Sequence, residues 1–480
     1  MTQRVPSLLR YIAIVALLFS LVPSASLPRS ALARQEAAAK DALSAKDRKE
    51  VFITVWKDIE ERYYDAAFNG VDWNAVRKKY EPQVAAAQND AVFYNLIKRM
   101  IEELHDAHTR FSTATEWENR QKHQGVSVGF GVDEVEGKTV VTAVTADSQA
   151  ASNGIAAGMI VLAIDGQAIE ARLADAGARH VRNSSERADL LLAYREIFAG
   201  APGSLVTLQL QRADGSTWET IVTREIHAFP PKVLQKRLPD GTAYIRFDEF
   251  QASTPRDVHE ALEQVRNAPG LILDLRGNGG GTLSSMLQIA GYFLPERTRF
   301  ALDRTRSGKP VSSFGGLFKV GLELYAGKKG EQVYSGPVAI LVRGRTASAA
   351  EIFSAGMQEA GRAKVFGSQT CGCVLGIIKQ RKVKGGGVLE ISEMLWLTPK
   401  GRKLEGEGVL PDREVRPTIA DLQQKRDAPL EEAEKSLRAA LARASKSSYF
   451  AVRRVRHRFC GLCVSGGEEL PAAAALVSAH

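Results

Sequence analysis

The sequence predicts a multidomain α/β + β protein: an N-terminal helical segment, a β-rich domain and an α/β core follow one another along 480 residues. Three changes of pattern support this order. Up to about residue 118, apolar residues recur at three- and four-residue intervals, as on one face of a helix. Short alternating runs separated by turn signals then indicate strands between residues 126 and 226. From residue 242 onward, strands and helices alternate, which is typical of an α/β core.

The first 33 residues have the pattern of a secretory signal peptide. Arg4 and Arg10 precede an apolar run from Tyr11 to Val22, and small residues follow up to Ala33. The apolar run is short for a membrane-spanning helix. We therefore expect cleavage after Ala33 and an exported mature protein, periplasmic or extracellular.

The helical domain is placed at residues 34–122. Its clearest helices carry apolar residues between Val51 and Tyr63 and between Phe93 and Leu104, and the second runs into the segment Asp106 to Thr109. Because this block cannot bury its apolar faces alone, we expect it to pack on later segments of the chain.

Composition restricts the partners and cofactors. The net charge of +9 is modest for this length, and the basic residues are scattered without interleaved aromatic residues, so no nucleic-acid partner is expected. Residues 426–480 are predicted to form a helical, basic tail. Its run Arg453 to Arg458 is either solvated or in peripheral contact with membrane headgroups. Cys460 and Cys463 could form a short disulfide, and one such pair is weak evidence for zinc, so we expect no metal and no cofactor.

Residues 123–227 form the predicted β-rich domain, which resembles a PDZ domain. The resemblance rests on motifs in that family's order: Gly129-Phe130-Gly131, Ser148 to Gly154, Ala157-Gly158 and Ile164 to Gly166. It implies that an extended peptide adds to the sheet edge, with its C-terminal carboxylate held by the N–H groups of Gly129, Phe130 and Gly131. The alternative is a small β-domain without a ligand.

Ser348 stands where a buried strand, Ala339 to Val342, turns into a helix. Its hydroxyl would lie at the positive end of the helix dipole, with the free N–H of Ala349 beside it. This arrangement suits a nucleophile next to an oxyanion donor. The alternative is a capping box formed by Ser348 and Glu351.

A glycine-rich loop, Gly277 to Gly281, also follows a buried strand and precedes a helix. It lacks the spacing and the lysine of a P-loop. Glycines at this place allow the backbone to approach a substrate carbonyl, so Gly279 and Gly280 are candidates for an oxyanion hole.

These features occur within motifs that resemble peptidase family S41, the C-terminal processing (tail-specific) proteases, which includes the tricorn core protease. The motifs are Asp106 to Thr109, Leu273 to Gly281, Thr346 to Ile352, Gly361 to Thr370 and Gly406 to Asp412. The resemblance spans roughly residues 45 to 416. It implies a crotonase-like or ClpP-like α/β serine protease core, placed at 228–425, with Ser348 as the nucleophile.

The sequence departs from the tail-specific pattern at the base. Cys373 occupies the position of that family's catalytic lysine, and Ile377 occupies the position of its glutamine. A thiol would itself need activation. Cys371 and Cys373 look too close for an ordinary structural disulfide, so we expect them to pack as small apolar side chains, with a nucleophilic Cys373 as the alternative.

The resemblance to the tricorn branch implies another base. It assigns His108 as the base that takes the Ser348 proton, and Glu405 as a carboxylate that orients a partner or contacts the substrate amine. The alternatives are that His108 only ties the helical domain to the core and that Glu405 is an exposed turn carboxylate.

We therefore expect an exported serine endopeptidase whose PDZ-like domain binds the C-terminal tails of protein or peptide substrates, and whose Ser348 cleaves them. The alternative is a catalytically inactive PDZ-containing binding or scaffold protein that has lost the lysine.

Overall fold

The computed structural model describes residues 42–307, 311–313, 318–320, 323–329 and 333–443. The expected signal peptide and the pair Cys460 and Cys463 lie outside the described residues. Among the residues described, no helix combines the length and the apolar character needed to span a bilayer.

From residue 42 to residue 122, the chain forms four helices, α1 (Ala45–Arg62), α2 (Trp73–Ala85), α3 (Asp90–Glu102) and α4 (Ala114–Gln121), with a short 3-10 turn at Phe68–Gly70. Ser44 and Asp47 cap α1 reciprocally, which satisfies its first N–H groups. The apolar faces of α1, α2 and α3 share one cluster with Leu389 and Ile391 of a strand much later in the chain. The expected packing of this block on later segments is confirmed.

The β-rich part contains an antiparallel sheet and three helices. A separate ribbon pairs β2 (Gln124–Ser127) with β9 (Glu225–Ala228). The sheet has the order β3-β4-β5-β7-β8, so β3 is an edge strand. Its strands are β3 (Phe130–Val135), β4 (Lys138–Val144), β5 (Ile160–Ile164), β6 (Gln167–Ala168, paired with β5), β7 (Leu205–Gln211) and β8 (Thr217–Thr223). The helices are α5 (Gln149–Ser152), α6 (Ile169–Arg179) and α7 (Glu186–Ile197).

A mostly parallel sheet with the order β10-β11-β12-β17-β18-β21 forms the centre of the α/β core. The strands are β10 (Val233–Arg237), β11 (Ala243–Phe247), β12 (Leu271–Asp274), β17 (Val338–Val342), β18 (Ala363–Gly367) and β21 (Arg413–Glu414). The helices α8 (Thr254–Val265), α9 (Leu283–Gly291) and α10 (Ala349–Glu359) belong to the same core. Every residue of β12 and β17 is buried, as expected of central parallel strands covered on both faces.

A second sheet joins the N-terminal part to the core. It contains β1 (Arg110–Ser112), β13 (Thr298–Thr305), β16 (Glu323–Ala326), β19 (Leu375–Lys382) and β20 (Val388–Leu397). The remaining elements are a hairpin of β14 (Val311–Ser313) and β15 (Phe318–Val320), a short 3-10 turn at Lys384–Gly386, α11 (Ile419–Gln423) and α12 over residues 428–443. Strand β20 pairs with both β1 and β19.

The two sheets bring distant motifs together. Strands β12 and β17 are parallel neighbours in register, with Asp274 opposite Leu341, so the loops after their carboxyl ends meet. The motif Asp106 to Thr109 directly precedes β1, and Cys373 lies two residues before β19. The domain boundaries proposed from the sequence stay predictions.

Candidate active site

Ser348 occupies a strained turn between β17 and α10. Its backbone angles, φ 57° and ψ −124°, fall in a region that residues with a side chain rarely adopt. The turn leaves the side chain half-buried, whereas the first nine residues of α10 are all buried. The Ser348 N–H donates to the carbonyl of Cys373 at 2.8 Å and to the Glu351 carboxylate at 3.0 Å. These two hydrogen bonds therefore hold Ser348 in a strained backbone conformation.

The glycine-rich loop touches the serine directly. A β-carbon on Gly280, whose φ is +106°, would lie 2.7 Å from the Ser348 Cβ and 3.1 Å from the Ala349 nitrogen. Gly280 donates its N–H to Asn278 Oδ1 at 2.9 Å, so this N–H is occupied in the observed conformation. In the described part of the chain, no protein oxygen accepts from the N–H of Gly279 or Ala349. These two groups are therefore free to receive an oxyanion, and Gly280 permits the close approach.

Glu351 is the centre of the hydrogen-bond network behind the serine. It is fully buried, and its carboxylate accepts from the N–H groups of Ser348 (3.0 Å), Gly372 (2.8 Å) and Cys373 (3.0 Å) and from the hydroxyl of Thr370. Burial raises the pKa of Glu351 to about 8, and these hydrogen bonds offset part of that rise. Sequence reasoning identified only the capping contact, because its other three donors lie about 20 residues further along the chain.

Cys371 and Cys373 form a disulfide in the structure, with 5.2 Å between their Cα atoms. The expectation that they lie too close in sequence to bond is wrong. Gly372 between them adopts φ +72°, which turns the chain so that both side chains face each other. The pair is buried and packs against Ala107, Ala188 and Ala347, so the expected packing beneath the serine loop is confirmed. A bonded Cys373 has no thiolate to act as nucleophile or base.

His108 lies just before β1 in a turn built by Asp106. The Asp106 carboxylate accepts from the N–H groups of His108 (2.7 Å) and Thr109 (2.6 Å) and from the hydroxyl of Ser392 (3.1 Å). Burial lowers the pKa of His108 to about 4, so the imidazole is neutral at pH 7, as a base must be. Its Nδ1 is buried and has no hydrogen-bond partner among the residues that the structure describes.

The structure brings His108 near the serine loop without joining the two side chains. Its neighbour Ala107 packs against the Cys371–Cys373 pair, whose second member accepts the Ser348 N–H. Within the residues described, no hydrogen bond links the His108 ring to Ser348. Catalytic hydrogen bonds often tighten only when substrate is bound.

Glu405 is buried, at 2% exposure, so the alternative of an exposed turn carboxylate is wrong. One carboxylate oxygen accepts from the Ser184 hydroxyl, and the other accepts from the Val374 N–H at 2.6 Å. Burial raises the pKa of Glu405 to about 7, and the charge of Asp106 adds to the rise. Glu405 therefore anchors the segment that follows the disulfide.

The Gly129-Phe130-Gly131 loop lies at the start of the edge strand β3. The φ of Gly129 is +81°, a β-carbon there would lie 2.7 Å from the Cβ of Ser148, and its N–H donates to Ser127 Oγ at 3.1 Å. Further along the same strand, the carbonyl of Val132 accepts from Arg345 at 2.7 Å. Arg345 precedes Ser348 by three residues, so the serine turn touches this edge.

In the described ranges, no cluster of three or more His, Cys, Asp or Glu side chains has an arrangement that could hold a metal ion.

The chain is similar in sequence to known peptidases. Residues 241–415 match the model of peptidase family S41, and residues 44–102 match that of the tricorn protease C1 domain. The carboxyl-terminal-processing protease of Synechocystis sp. is 26% identical over 432 residues, covering 87% of this chain and 93% of that protein. The fold and the matches define a serine-type peptidase, a hydrolase. They support its placement in peptidase family S41.

Two solved structures share the fold. The photosystem II D1 C-terminal processing protease matches with a TM-score of 0.50 and 21% identity, over 77% of this chain and 93% of that one. Mature CPAF matches with a TM-score of 0.62 and 13% identity, over 82% and 96%. At these identities the likeness concerns the mixed α/β architecture with its helical N-terminal region.

Proposed function

We propose that this serine peptidase is an endopeptidase in which Ser348 is the nucleophile. The observation that carries the proposal is the strained turn at Ser348, with Gly280 against its Cβ and the open N–H of Ala349 beside it. A strand-to-helix turn of this kind projects a hydroxyl toward substrate next to a backbone oxyanion donor.

His108 is proposed as the base. Its support is the lowered pKa, which keeps the imidazole neutral, and a buried Nδ1 that has no hydrogen-bond partner within the described residues. Cys373 stands at the position where the resemblance to tail-specific proteases implies a lysine, and its bond to Cys371 leaves it no thiolate to serve as a base. Substrate binding would have to bring the imidazole into hydrogen-bond reach of Ser348. Glu405 supports this site by anchoring Val374.

The substrates proposed are protein chains, whose C-terminal tails bind residues 123–227 as a PDZ-like domain. Support comes from the edge strand β3 with the Gly129-Phe130-Gly131 loop at its start. An unpaired strand edge can accept an extended peptide, and loop N–H groups can receive a carboxylate.

Export to the periplasm or the extracellular space is proposed from the first 33 residues, and peripheral membrane contact from the basic tail. N-terminal sequencing of the secreted protein tests the former, since a mature chain beginning at Met1 would contradict processing. Sedimentation of the mature protein with anionic vesicles tests the latter.

Labelling with a fluorophosphonate probe tests the nucleophile. The wild type is expected to be labelled, and Ser348→Ala is expected to lose the label together with hydrolysis of unfolded casein. Ser354→Ala is the matched control, because Ser354 lies on the same helix with its hydroxyl bonded to the Ala350 carbonyl at 2.7 Å. Equal labelling of wild type and Ser348→Ala would refute the assignment.

A non-catalytic scaffold is the second candidate function. It is favoured by the disulfide at the lysine position and by the absence, within the described residues, of a hydrogen bond between His108 and Ser348. A wild type that binds peptides, resists the probe and leaves casein intact would select it.

A further inference from the structure

Residues 370–373, here called the disulfide loop, have all eight of their backbone N–H and C=O groups hydrogen-bonded. The N–H of Thr370 donates to the Val409 carbonyl, and the N–H of Cys371 donates to the Thr346 carbonyl. The N–H groups of Gly372 and Cys373 both donate to the Glu351 carboxylate. The carbonyl of Thr370 accepts from Arg187 Nε, and the carbonyl of Cys371 accepts from Ser185 Oγ. The carbonyls of Gly372 and Cys373 accept from the N–H groups of Gly406 and Ser348, respectively. This loop thus connects directly to the serine and to Glu351.

Two of the four carbonyls are held by side chains from outside the α/β core. Ser185 and Arg187 lie at the start of α7, which follows the antiparallel strands β3 to β5. Arg187 Nε donates to Thr370 O at 2.6 Å, and its Nη2 reaches Glu407 O at 3.3 Å. The β-rich part therefore supplies side chains to the rear of the serine site, about 185 residues away in sequence.

The contact is close-packed as well as polar. Ser185 is 3% exposed, and Ala188 on the next part of the helix packs against both cysteines. A β-carbon on Gly406 would lie 3.0 Å from the carbonyl oxygen of Ser184, whose hydroxyl donates to Glu405. Removal of the Ser185 hydroxyl would therefore leave the buried Cys371 carbonyl without this partner.

We infer that Ser185 and Arg187 are positioning residues for peptide-bond hydrolysis. They act through the disulfide loop: their hydrogen bonds fix the carbonyls of Thr370 and Cys371, and the loop in turn holds the Ser348 N–H and the Glu351 carboxylate. The serine site is complete only while the start of α7 is docked on the core. This inference rests on the proposed hydrolytic function of Ser348.

Steady-state kinetics on a casein-derived peptide test the inference with Ser185→Ala and Arg187→Ala. Each substitution is expected to lower kcat about tenfold or more while KM changes less than threefold, because the substrate itself is not contacted. Arg187→Lys, which can still donate to Thr370 O, is expected to recover part of kcat. Ser152→Ala is the control, since that hydroxyl bonds the Ser148 carbonyl inside the β-rich part at 3.2 Å. It should match the wild type.

Amide hydrogen exchange provides a readout that does not depend on turnover. The N–H groups of Gly372 and Cys373 are expected to exchange at least tenfold faster in Ser185→Ala and Arg187→Ala, and at wild-type rate in Ser152→Ala. Unchanged kcat and unchanged exchange in both variants would overturn the inference. A wild type without turnover would refute the proposed function instead, and the exchange rates would still decide whether these two residues hold the loop.

Discussion

Gly280 and Ser348 stand so close that a β-carbon on Gly280 would lie 2.7 Å from the Cβ of Ser348. The φ of Gly280, +106°, is also one that only glycine adopts without strain. Gly280→Ala is therefore expected to cost about 1–3 kcal/mol of unfolding free energy from strain and to abolish hydrolysis by displacing the serine turn. Urea unfolding and casein hydrolysis measure the two effects.

A control variant at another glycine with positive φ separates the effect of backbone strain from the effect of the clash with Ser348. Gly215 has φ +82°, and a β-carbon added there would have no atom within 4 Å, so Gly215→Ala should show a stability loss with full activity. If Gly280→Ala kept wild-type activity, Gly280 would have no role in shaping the site.

The second prediction concerns the base. Ser348→Ala and His108→Ala are each expected to lower hydrolysis by several powers of ten, and the double variant by no more than either alone, because the two act as a unit. Burial lowers the pKa of His108 to about 4. Since a base must be unprotonated, activity should be lost as pH falls through about 4, below the inflection near 6.5 of an unperturbed imidazole. The pH profile of kcat/KM measures this inflection. An active His108→Ala would exclude histidine as the base.

The local parts of this site were predictable from the sequence. The strand-turn-helix around Ser348 and the glycine loop after β12 each lie within one contiguous pattern, so periodicity and glycine spacing indicated them. The mixed α/β architecture with a helical N-terminal region followed in the same way.

The long-range parts were not predictable. Glu351 is recognisable as a capping residue, but its bonds to Thr370, Gly372 and Cys373 depend on how the chain returns after β18. The contacts of Ser185 depend on the docking of α7 against the core, which no local pattern encodes. The disulfide required the positive φ of Gly372, which the spacing of two cysteines does not reveal.

The third prediction concerns stability and pH. Burial raises the pKa of Glu351 from its ordinary 4.5 to about 8, so the folded protein binds more protons than the unfolded chain between these values. The unfolding free energy contributed by this group is thus fully present below about pH 4.5 and declines as pH rises toward 8. Glu351→Gln should flatten that decline, measured by urea unfolding at pH 5 and pH 8, while Glu134→Gln on an exposed strand position should not. An identical slope in Glu351→Gln and wild type would contradict the assignment.

The fourth prediction concerns Cys373. Cys371 and Cys373 are expected to be disulfide-bonded in the purified protein, seen by mass spectrometry as one peptide containing both residues that gains two hydrogen atoms on reduction. Cys373→Ser is expected to keep most of the hydrolysis, because Cys373 contacts the serine site through its backbone N–H and carbonyl, which serine retains. A dead Cys373→Ser together with an active His108→Ala would require a catalytic thiol instead.

The last prediction concerns the edge strand β3. Peptides with an apolar last residue and a free carboxylate are expected to bind more tightly than the same peptides ending in an amide, because the charged carboxylate accepts more strongly than a neutral amide carbonyl from the N–H groups of the Gly129-Phe130-Gly131 loop. Arg345 donates to the Val132 carbonyl on this edge at 2.7 Å and lies 3.8 Å from Asp133. An incoming strand must displace that bond, since it needs the same carbonyl.

Arg345→Ala is therefore expected to raise the affinity for the acid peptide severalfold, because the peptide no longer has to break a charged hydrogen bond of about 1.5–3 kcal/mol. The gain is smaller than this value, because in the wild type the displaced arginine is solvated by water. Isothermal titration of the full chain measures both peptides. Arg172→Ala is the control, because Arg172 pairs with Asp165 in the same part of the chain, away from β3. Equal binding of acid and amide, or an Arg345→Ala affinity equal to that of Arg172→Ala, would show that peptides do not add to this edge.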